Sequence, residues 1–273
     1  MDIPFTKAHG TGNDFIILLK DDIKNIKLEE ELIQKLCYRR TGIGADGLIV
    51  LSDDDALDYK MDYYNNDGTW ETMCANGARC TAVYMHRRGF IKKTASFSAG
   101  DGPHDVELLK NNIVRLRMGS PHYESEEVEV AGFKGRHVDS GARHFAVYTD
   151  DLLNVNVSVD GRNIRNSDIF APRGINVNFF SQLDNNSIQV ETYEKGIEQM
   201  MLSCGSGSVA AAYHASKMFT MFSPIHVAVP GGNLIVEFDP DWKEVWLSGS
   251  AILLFVSTIH MDDINSLDNV RCF

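Results

Sequence analysis

The chain has 273 residues, of which 44% are hydrophobic and 23% charged, with a formal net charge of −12 at neutral pH. Such a length holds one large core or two medium ones. No apolar run reaches the roughly 20 residues of a membrane-spanning helix, and no Lys/Arg block exceeds two residues. Nucleic acid and anionic membrane are therefore poor partners. Met1-Asp2-Ile3-Pro4 lacks the basic and apolar regions of a signal peptide, so a cytoplasmic location is expected. Five cysteines, an odd number, read as free thiols. Without a C-x-x-C pair or an H-E-x-x-H run, no metal site is expected.

In chain order, residues 3–8 and 15–19 are strand-like and flank a polar turn, His9 to Asp14. That turn resembles a nucleotide loop only superficially, because it leads into a strand and has no P-loop lysine. Residues 28–38 carry helical spacing of Leu28, Leu32, Ile33 and Leu36. Strands follow at 48–51 and 61–64, with Asp53-Asp54-Asp55 as a solvated turn between them and Asn65–Gly68 as a second turn. A helix is expected over Ala78–Arg88, then short strands alternating with turns from Lys92 to Met118. Gly119-Ser120-Pro121 is the expected boundary, giving domains 1–118 and 119–261. The second half repeats the order: strands at 126–130 and 144–149, loops through 150–174, strands near 176–181 and 187–193, a helix over Ser208–Phe219, and strands around 225–229, 233–238, 244–248 and 252–257.

The two helices share a feature. Met73-Cys74-Ala75-Asn76-Gly77 and Ser203-Cys204-Gly205-Ser206-Gly207 each place a cysteine before a small tripeptide that leads into a helix. Unpaired N–H groups and the helix dipole at such a point stabilise a thiolate. Two thiols on opposite faces of one α-carbon can invert it without pyridoxal phosphate: one removes the proton and the other returns one. Adjacent helix N-termini suit an α-carboxylate. Cys37 and Cys80 read as small buried hydrophobes and Cys272 as a tail residue.

The chain resembles the diaminopimelate epimerases over nearly its whole length. The resemblance rests on His9–Phe15, Arg40–Leu48, Asn65–Gly68, Met73–Cys80, Gly174–Asn178 and Cys204–Gly207. It implies an α/β (α+β) fold of two similar domains, each a curved mixed sheet wrapped on a central helix, with the active site in the cleft between them. The tail, residues 262–273, would return to the first domain. It implies no cofactor, a small-molecule amino-acid substrate and compatibility with a homodimer. The reaction would be LL- to meso-diaminopimelate, in lysine and peptidoglycan precursor synthesis. By the same resemblance Cys74 and Cys204 are the two bases, and His144 and Glu194 are polar neighbours that assist them. Asn13, Asn65 and Asn176 contact substrate. Ala75, Asn76 and Gly77, with Gly205 and Ser206, line the α-carboxylate.

Two departures from the family pattern fall, as the resemblance implies, at the distal end of the substrate. Gly141-Ala142-Arg143-His144 stands where the family has Gly-Asn-Pro-His, and Glu194-Lys195-Gly196 where it has Glu-Arg-Gly. Arg143 and Lys195 are the candidates to restore carboxylate binding there. The altered end leaves a racemase of another amino acid, such as histidine or a small polar one, as the rival within the enzyme class. A thiol redox protein and a non-catalytic binding protein are the rivals outside it.

Overall fold

The computed structural model describes residues 2–265. They divide into two compact units: the residues up to Val114 together with those from Ala251 on, and Arg115–Ser250. The sequence placed the change a few residues later, at Gly119, and gave 252–257 to the second half. β-Pairing explains the difference, as the last strand runs beside the first.

The first unit begins with β1 (Asp2–Gly10) and β2 (Asn13–Leu19), followed by α1 (Glu30–Cys37), β3 (Gly47–Ser52), β4 (Tyr59–Asn65), β5 (Trp70–Glu71), α2 (Ala75–Arg87), β6 (Thr94–Ala99) and β7 (Gly102–Leu108). β8 (Ile113–Met118) crosses the division. The second unit continues with β9 (His122–Tyr123), β10 (Val128–Val130), β11 (Phe133–Asp139), β12 (Arg143–Tyr148), α3 (Val157–Arg165), β13 (Asn176–Asp184), β14 (Ser187–Glu194), β15 (Gln199–Met201), α4 (Gly205–Phe219), β16 (Ile225–Val229), β17 (Gly232–Phe238) and β18 (Val245–Ser250). β19 (Ile252–His260) and α5 (Met261–Asn265) return to the first unit. Of the expected returning tail, residues 266–273 lie outside the described residues.

The two units repeat one strand plan. In the first, β1 and β2 are antiparallel, β2 and β3 parallel, β3 and β4 antiparallel, β4 and β6 parallel, and β6 and β7 antiparallel, while β5 pairs with the end of β4. In the second the same series runs β11, β12, β13, β14, β16 and β17, with β15 beside the end of β14. β19 extends the first sheet, antiparallel to β1 from Asp2↔His260 to His9↔Ile252. Each parallel step needs a crossover: α1 and α3 bridge the first such step in each unit, α2 and α4 the second.

α3 corrects the sequence reading, which left 150–174 as loop. Asn156 caps it, its side chain accepting from the Val159 N–H at 3.2 Å. α2 is buried continuously from Ala75 to Met85, and α4 buries most of its length. A helix enclosed on all sides carries no polar stripe, which accounts for the small, alanine-rich sequences of both. The first core cluster gathers Ile3, Ile16, Leu18 and Leu48 with Ile33 and Leu36 of α1, and another gathers Phe145, Val177, Phe179 and Tyr193 with Ile164 of α3. Among the described residues no helix is long and apolar enough to cross a membrane, and no group of His, Cys, Asp and Glu is placed to hold a metal ion.

Candidate active site

Both cysteines sit closer to their helices than the sequence suggested. The tripeptides after Cys74 and Cys204 are the first helical turns themselves, not turns ahead of them. Cys74 is the N-cap of α2 with φ −132° and ψ 115°, and Cys204 the N-cap of α4 with φ −124° and ψ 115°. The first intrahelical bonds run from the Ala78 N–H to the Cys74 carbonyl at 2.8 Å and from the Ser208 N–H to the Cys204 carbonyl at 3.0 Å. The N–H groups of 75–77 and 205–207 precede those bonds and point out of the helix starts. The two thiols are thus presented by the same local geometry in two units of the same plan.

Around Cys74 the β1–β2 hairpin does the positioning. Gly10 pairs with Asn13 across a two-residue turn, in which Thr11 and Gly12 have φ +52° and +88°. That is the turn whose twist matches a hairpin. Asn13 follows it directly. Its Oδ1 accepts from Asn76 Nδ2 at 3.1 Å and lies 3.7 Å from Cys74 Sγ, and its Nδ2 donates to Asp46 Oδ2 at 2.9 Å. Asn65, at the end of β4, accepts from the Tyr63 hydroxyl at 2.8 Å. Asn13, Asn65, Ala75, Asn76 and Gly77 are all buried.

Around Cys204 a directed chain of hydrogen bonds ends at the thiol. Thr192 Oγ1 donates to Asn178 Oδ1 at 2.9 Å, and Asn178 Nδ2 meets His144 Nδ1 at 2.9 Å. An amide NH₂ only donates, so Nδ1 is the acceptor and the ring proton sits on Nε2. Nε2 lies 2.9 Å from Ser206 Oγ, and Ser206 Oγ lies 3.7 Å from Cys204 Sγ. With its oxygen accepting from the imidazole, Ser206 has its hydroxyl proton to direct at the sulfur. Burial drives His144 down to about 3, so at neutral pH it is an oriented donor and carries no charge. The close fit depends on Gly207: a Cβ there would meet Asn178 Oδ1 at 2.2 Å and Cys204 Sγ at 3.2 Å.

Strand register places the other expected residues. His144 pairs with Asn176, and the pairing of Val177 with Tyr193 puts Asn176 beside Glu194. Asn176 Oδ1 accepts from the Lys195 N–H at 2.9 Å. In the first unit the equivalent row is Phe15, Gly47 and Asn65, so Asn65 and Glu194 hold matching strand ends. Two residues upstream, Asn13 matches Ala142, and the second unit has no amide where the first approaches its thiol. Arg143 is half-buried, with Nη1 donating to the Gly174 carbonyl at 3.3 Å and Nε 3.4 Å from His137 Nε2. Lys195 is exposed, and its ammonium has no hydrogen-bond or ion-pair partner among the described residues.

Sequence reasoning missed Asn178 and Thr192. Asn178 ends a stretch that carries the family resemblance, and only the period-2 alternation from Asn176 would have placed it on the same face. The neutral His144 has a measurable consequence. Its folded pKa lies below the ordinary value of 6.5, so the unfolded chain binds the extra proton. The stabilising difference is complete above about pH 6.5 and is lost as pH falls from there towards 3. By pH 4.5 the loss is about 3 kcal/mol at most, two units at 1.36 kcal/mol each. Urea unfolding at pH 7 and 4.5 should show a smaller pH effect for His144→Gln than for wild type. Equal acid sensitivity would contradict a neutral buried imidazole.

The diaminopimelate epimerase family model matches residues 5–124 and 136–254. A diaminopimelate epimerase from Flavobacterium psychrophilum is 38% identical over 261 residues, covering 93% of this chain and 98% of that one. A second, from Chlorobaculum tepidum, is 35% identical over 256 residues, covering 92% of this chain and 98% of the relative. Among solved structures, a probable proline racemase from Agrobacterium radiobacter K84 shares the fold at 14% identity, with a TM-score of 0.75 over 98% of this chain and 95% of that one.

Proposed function

The chain belongs to the diaminopimelate epimerase family and is an isomerase, and from that premise we propose that Cys74 and Cys204 act as a pair on one α-carbon, converting LL- to meso-diaminopimelate without a cofactor. One sulfur, as thiolate, takes the α-proton: the C–H bond breaks and an S–H bond forms. The electron pair left on carbon is held by conjugation into the α-carboxylate. The other thiol gives its proton to the opposite face and keeps the S–H electron pair. The first-turn N–H groups of Asn76–Gly77 and Gly205–Ser206 are the donors for the carboxylate, whose negative charge increases as the carbanion forms. His144 acts through Ser206, whose hydroxyl stabilises the Cys204 thiolate left after protonation. Glu194, Asn13, Asn65 and Asn176 orient the substrate. The same reading takes a small-molecule amino acid as partner, the cytoplasm as the place of action and a homodimer as the compatible assembly.

The observation that carries the proposal is the repetition: two cysteines with matching N-cap geometry on the crossover helices of two like units. Incubation with LL-diaminopimelate in D₂O tests it. Incorporation of α-deuterium together with appearance of the meso epimer is the expected result, with far slower exchange into histidine and other polar amino acids. Exchange into none of them would overturn the reading, and faster exchange into histidine would replace its substrate.

A further inference from the structure

An asparagine amide has a carbonyl at one end and an NH₂ at the other. Which end Asn13 turns toward Cys74 therefore decides whether the thiol meets an acceptor or a donor. Four charged residues hold the far side of that amide. Asp14 and Asp46 stand side by side just before the parallel ladder that begins at Phe15↔Gly47. Asp14 Oδ1 accepts from the Asp46 N–H at 3.1 Å, and Asp46 Oδ2 accepts from the Asp14 N–H at 3.2 Å. Carboxylates this close repel unless cations offset them. Lys7 Nζ lies 2.6 Å from Asp14 and also donates to the Gly44 carbonyl. Arg39 Nη2 lies 2.7 Å from Asp14 Oδ1 and 2.6 Å from Asp46 Oδ1. Burial works to raise the Asp14 carboxyl, but Arg39 and Lys7 hold it down to about 2.

Asn13 hangs on this cluster by its Nδ2, which donates to Asp46 Oδ2 at 2.9 Å. A carboxylate paired with a guanidinium only accepts, so the NH₂ end of Asn13 faces it and the carbonyl end faces away. A second set of contacts fixes the same orientation from the opposite side. Arg79, fully buried in α2, only donates, and its Nη2 lies 2.7 Å from Asn76 Oδ1. Asn76 therefore turns its Nδ2 the other way, where it donates to Asn13 Oδ1 at 3.1 Å. The two amides are thus set by a carboxylate at one end and a guanidinium at the other. Cys74 Sγ lies 3.7 Å from the same Asn13 Oδ1. An amide oxygen cannot donate, so in that contact the thiol gives the hydrogen.

We propose that Asp46 is a positioning residue for Cys74: acting through Asn13, it keeps an acceptor turned to the sulfur and so gives the S–H one direction. Its link to the sulfur runs through a single amide, and that amide explains the residue type at position 13. The side chain there has to donate to Asp46 and accept from Asn76 and Cys74 at once. An aspartate would set an oxygen against the Asp46 carboxylate, and an aliphatic residue would leave donors on both sides unmet. Lys7, Asp14 and Arg39 act one step further back, holding the Asp46 carboxylate in place.

Because it rests on the two-thiol reading, this role of Asp46 is tested first without substrate. The whole protein is treated with iodoacetamide at pH 7, and peptide mapping follows the alkylation rate of each cysteine. A hydrogen bond given by the thiol favours its protonated form, so losing that bond should speed the reaction. Asp46→Asn keeps the size of the side chain, but its one oxygen goes to the charged guanidinium, the stronger partner, and an N–H turns toward Asn13. The Cys74 rate should rise about two- to tenfold, the range that one hydrogen bond is worth. Asn13→Ala should also raise it, and Asp46→Asn in that background should add less than about twofold. Cys80, buried in the same helix, should stay unreactive in every folded variant. An unmoved Cys74 rate in a folded Asp46→Asn, or in Asn13→Ala, would overturn the proposal. So would an equal rise from Asp46→Asn with and without Asn13, which is what a merely structural role predicts. Should Cys80 show that Asp46→Asn does not fold, Asp46→Ala takes its place in the same cycle. In turnover, the double variant should lose no more kcat/KM than Asn13→Ala alone, and additive losses would again overturn the proposal. Absence of wild-type turnover on diaminopimelate would refute the reading of the reaction and leave the alkylation rates readable, so the two failures are distinct.

Discussion

Replacing Cys74 or Cys204 by alanine is expected to abolish epimerisation, with a loss of more than about 10³-fold in kcat, because a single positioned acid or base is worth roughly 10²–10⁴ and inversion requires both. The single variants should fail in complementary ways. With Cys204 absent, Cys74 can still remove a proton on its own face and return a solvent-derived one to the same face. Deuterium would then enter one epimer without inversion. With Cys74 absent the other epimer should exchange. Measuring α-deuterium separately in LL- and meso-diaminopimelate for each variant reads this directly, with near-ultraviolet circular dichroism confirming the fold. Burial pushes the Cys37 thiol up to about 12, so Cys37→Ala should leave turnover within about twofold. Wild-type inversion by either active-site variant, or exchange of the same epimer by both, would end the two-thiol mechanism.

How much of this was legible in the sequence depends on whether the signal was local. The paired cysteines were visible because each lies beside glycines and small residues in the chain. Their exact relation to the helix starts was not, since Ala75-Asn76-Gly77 and Gly205-Ser206-Gly207 have the composition of turns. Glycine is a poor helix former in an exposed interior. In a first turn packed against strands it is selected for close approach, as Gly207 against Asn178 shows. α3 was missed for a related reason: Val157, Val159 and Gly161 weaken its propensity, and the helix is held by its cap and by Ile164 in the core. Its counterpart α1 was found because leucines mark one side. β19 was recognised as a strand, but its partner β1 lies some 250 residues away in sequence, and pairing over that distance leaves no local trace. The relay of Thr192, Asn178, His144 and Ser206 draws on three strands and a helix, so only register brings it together. Arg79 lay inside a stretch already singled out. A charge in a helix reads as a solvated face, whereas Arg79 is fully buried.

The second large effect concerns the far end of the proposed substrate, to which the family resemblance assigns Ala142 and Lys195, both departures from the family pattern. Arg143 has five N–H donors and spends two, on the Gly174 carbonyl and on His137. Those contacts fix the guanidinium and leave three donors for a carboxylate. Lys195 is exposed and offers a flexible ammonium, for which an ion pair is worth about 0.2–1 kcal/mol. A hydrogen-bonded charged contact from a half-buried, oriented guanidinium is worth about 1.5–3 kcal/mol. If the substrate is diaminopimelate, Arg143→Ala should therefore lower kcat/KM about ten- to a hundredfold, at 1.36 kcal/mol per decade. Lys195→Ala should lower it about fivefold or less. The Arg143 loss should fall mainly on KM, because the distal carboxylate is bound alike in ground and transition states. It should vanish for a substrate lacking that carboxylate, such as lysine. The measurement is kcat and KM for wild type and both variants on each substrate. Efficient diaminopimelate turnover indifferent to Arg143→Ala would assign the distal carboxylate elsewhere. Poor wild-type turnover with efficient histidine racemisation would mean that the changes at Ala142 and Lys195 had moved the enzyme to another amino acid.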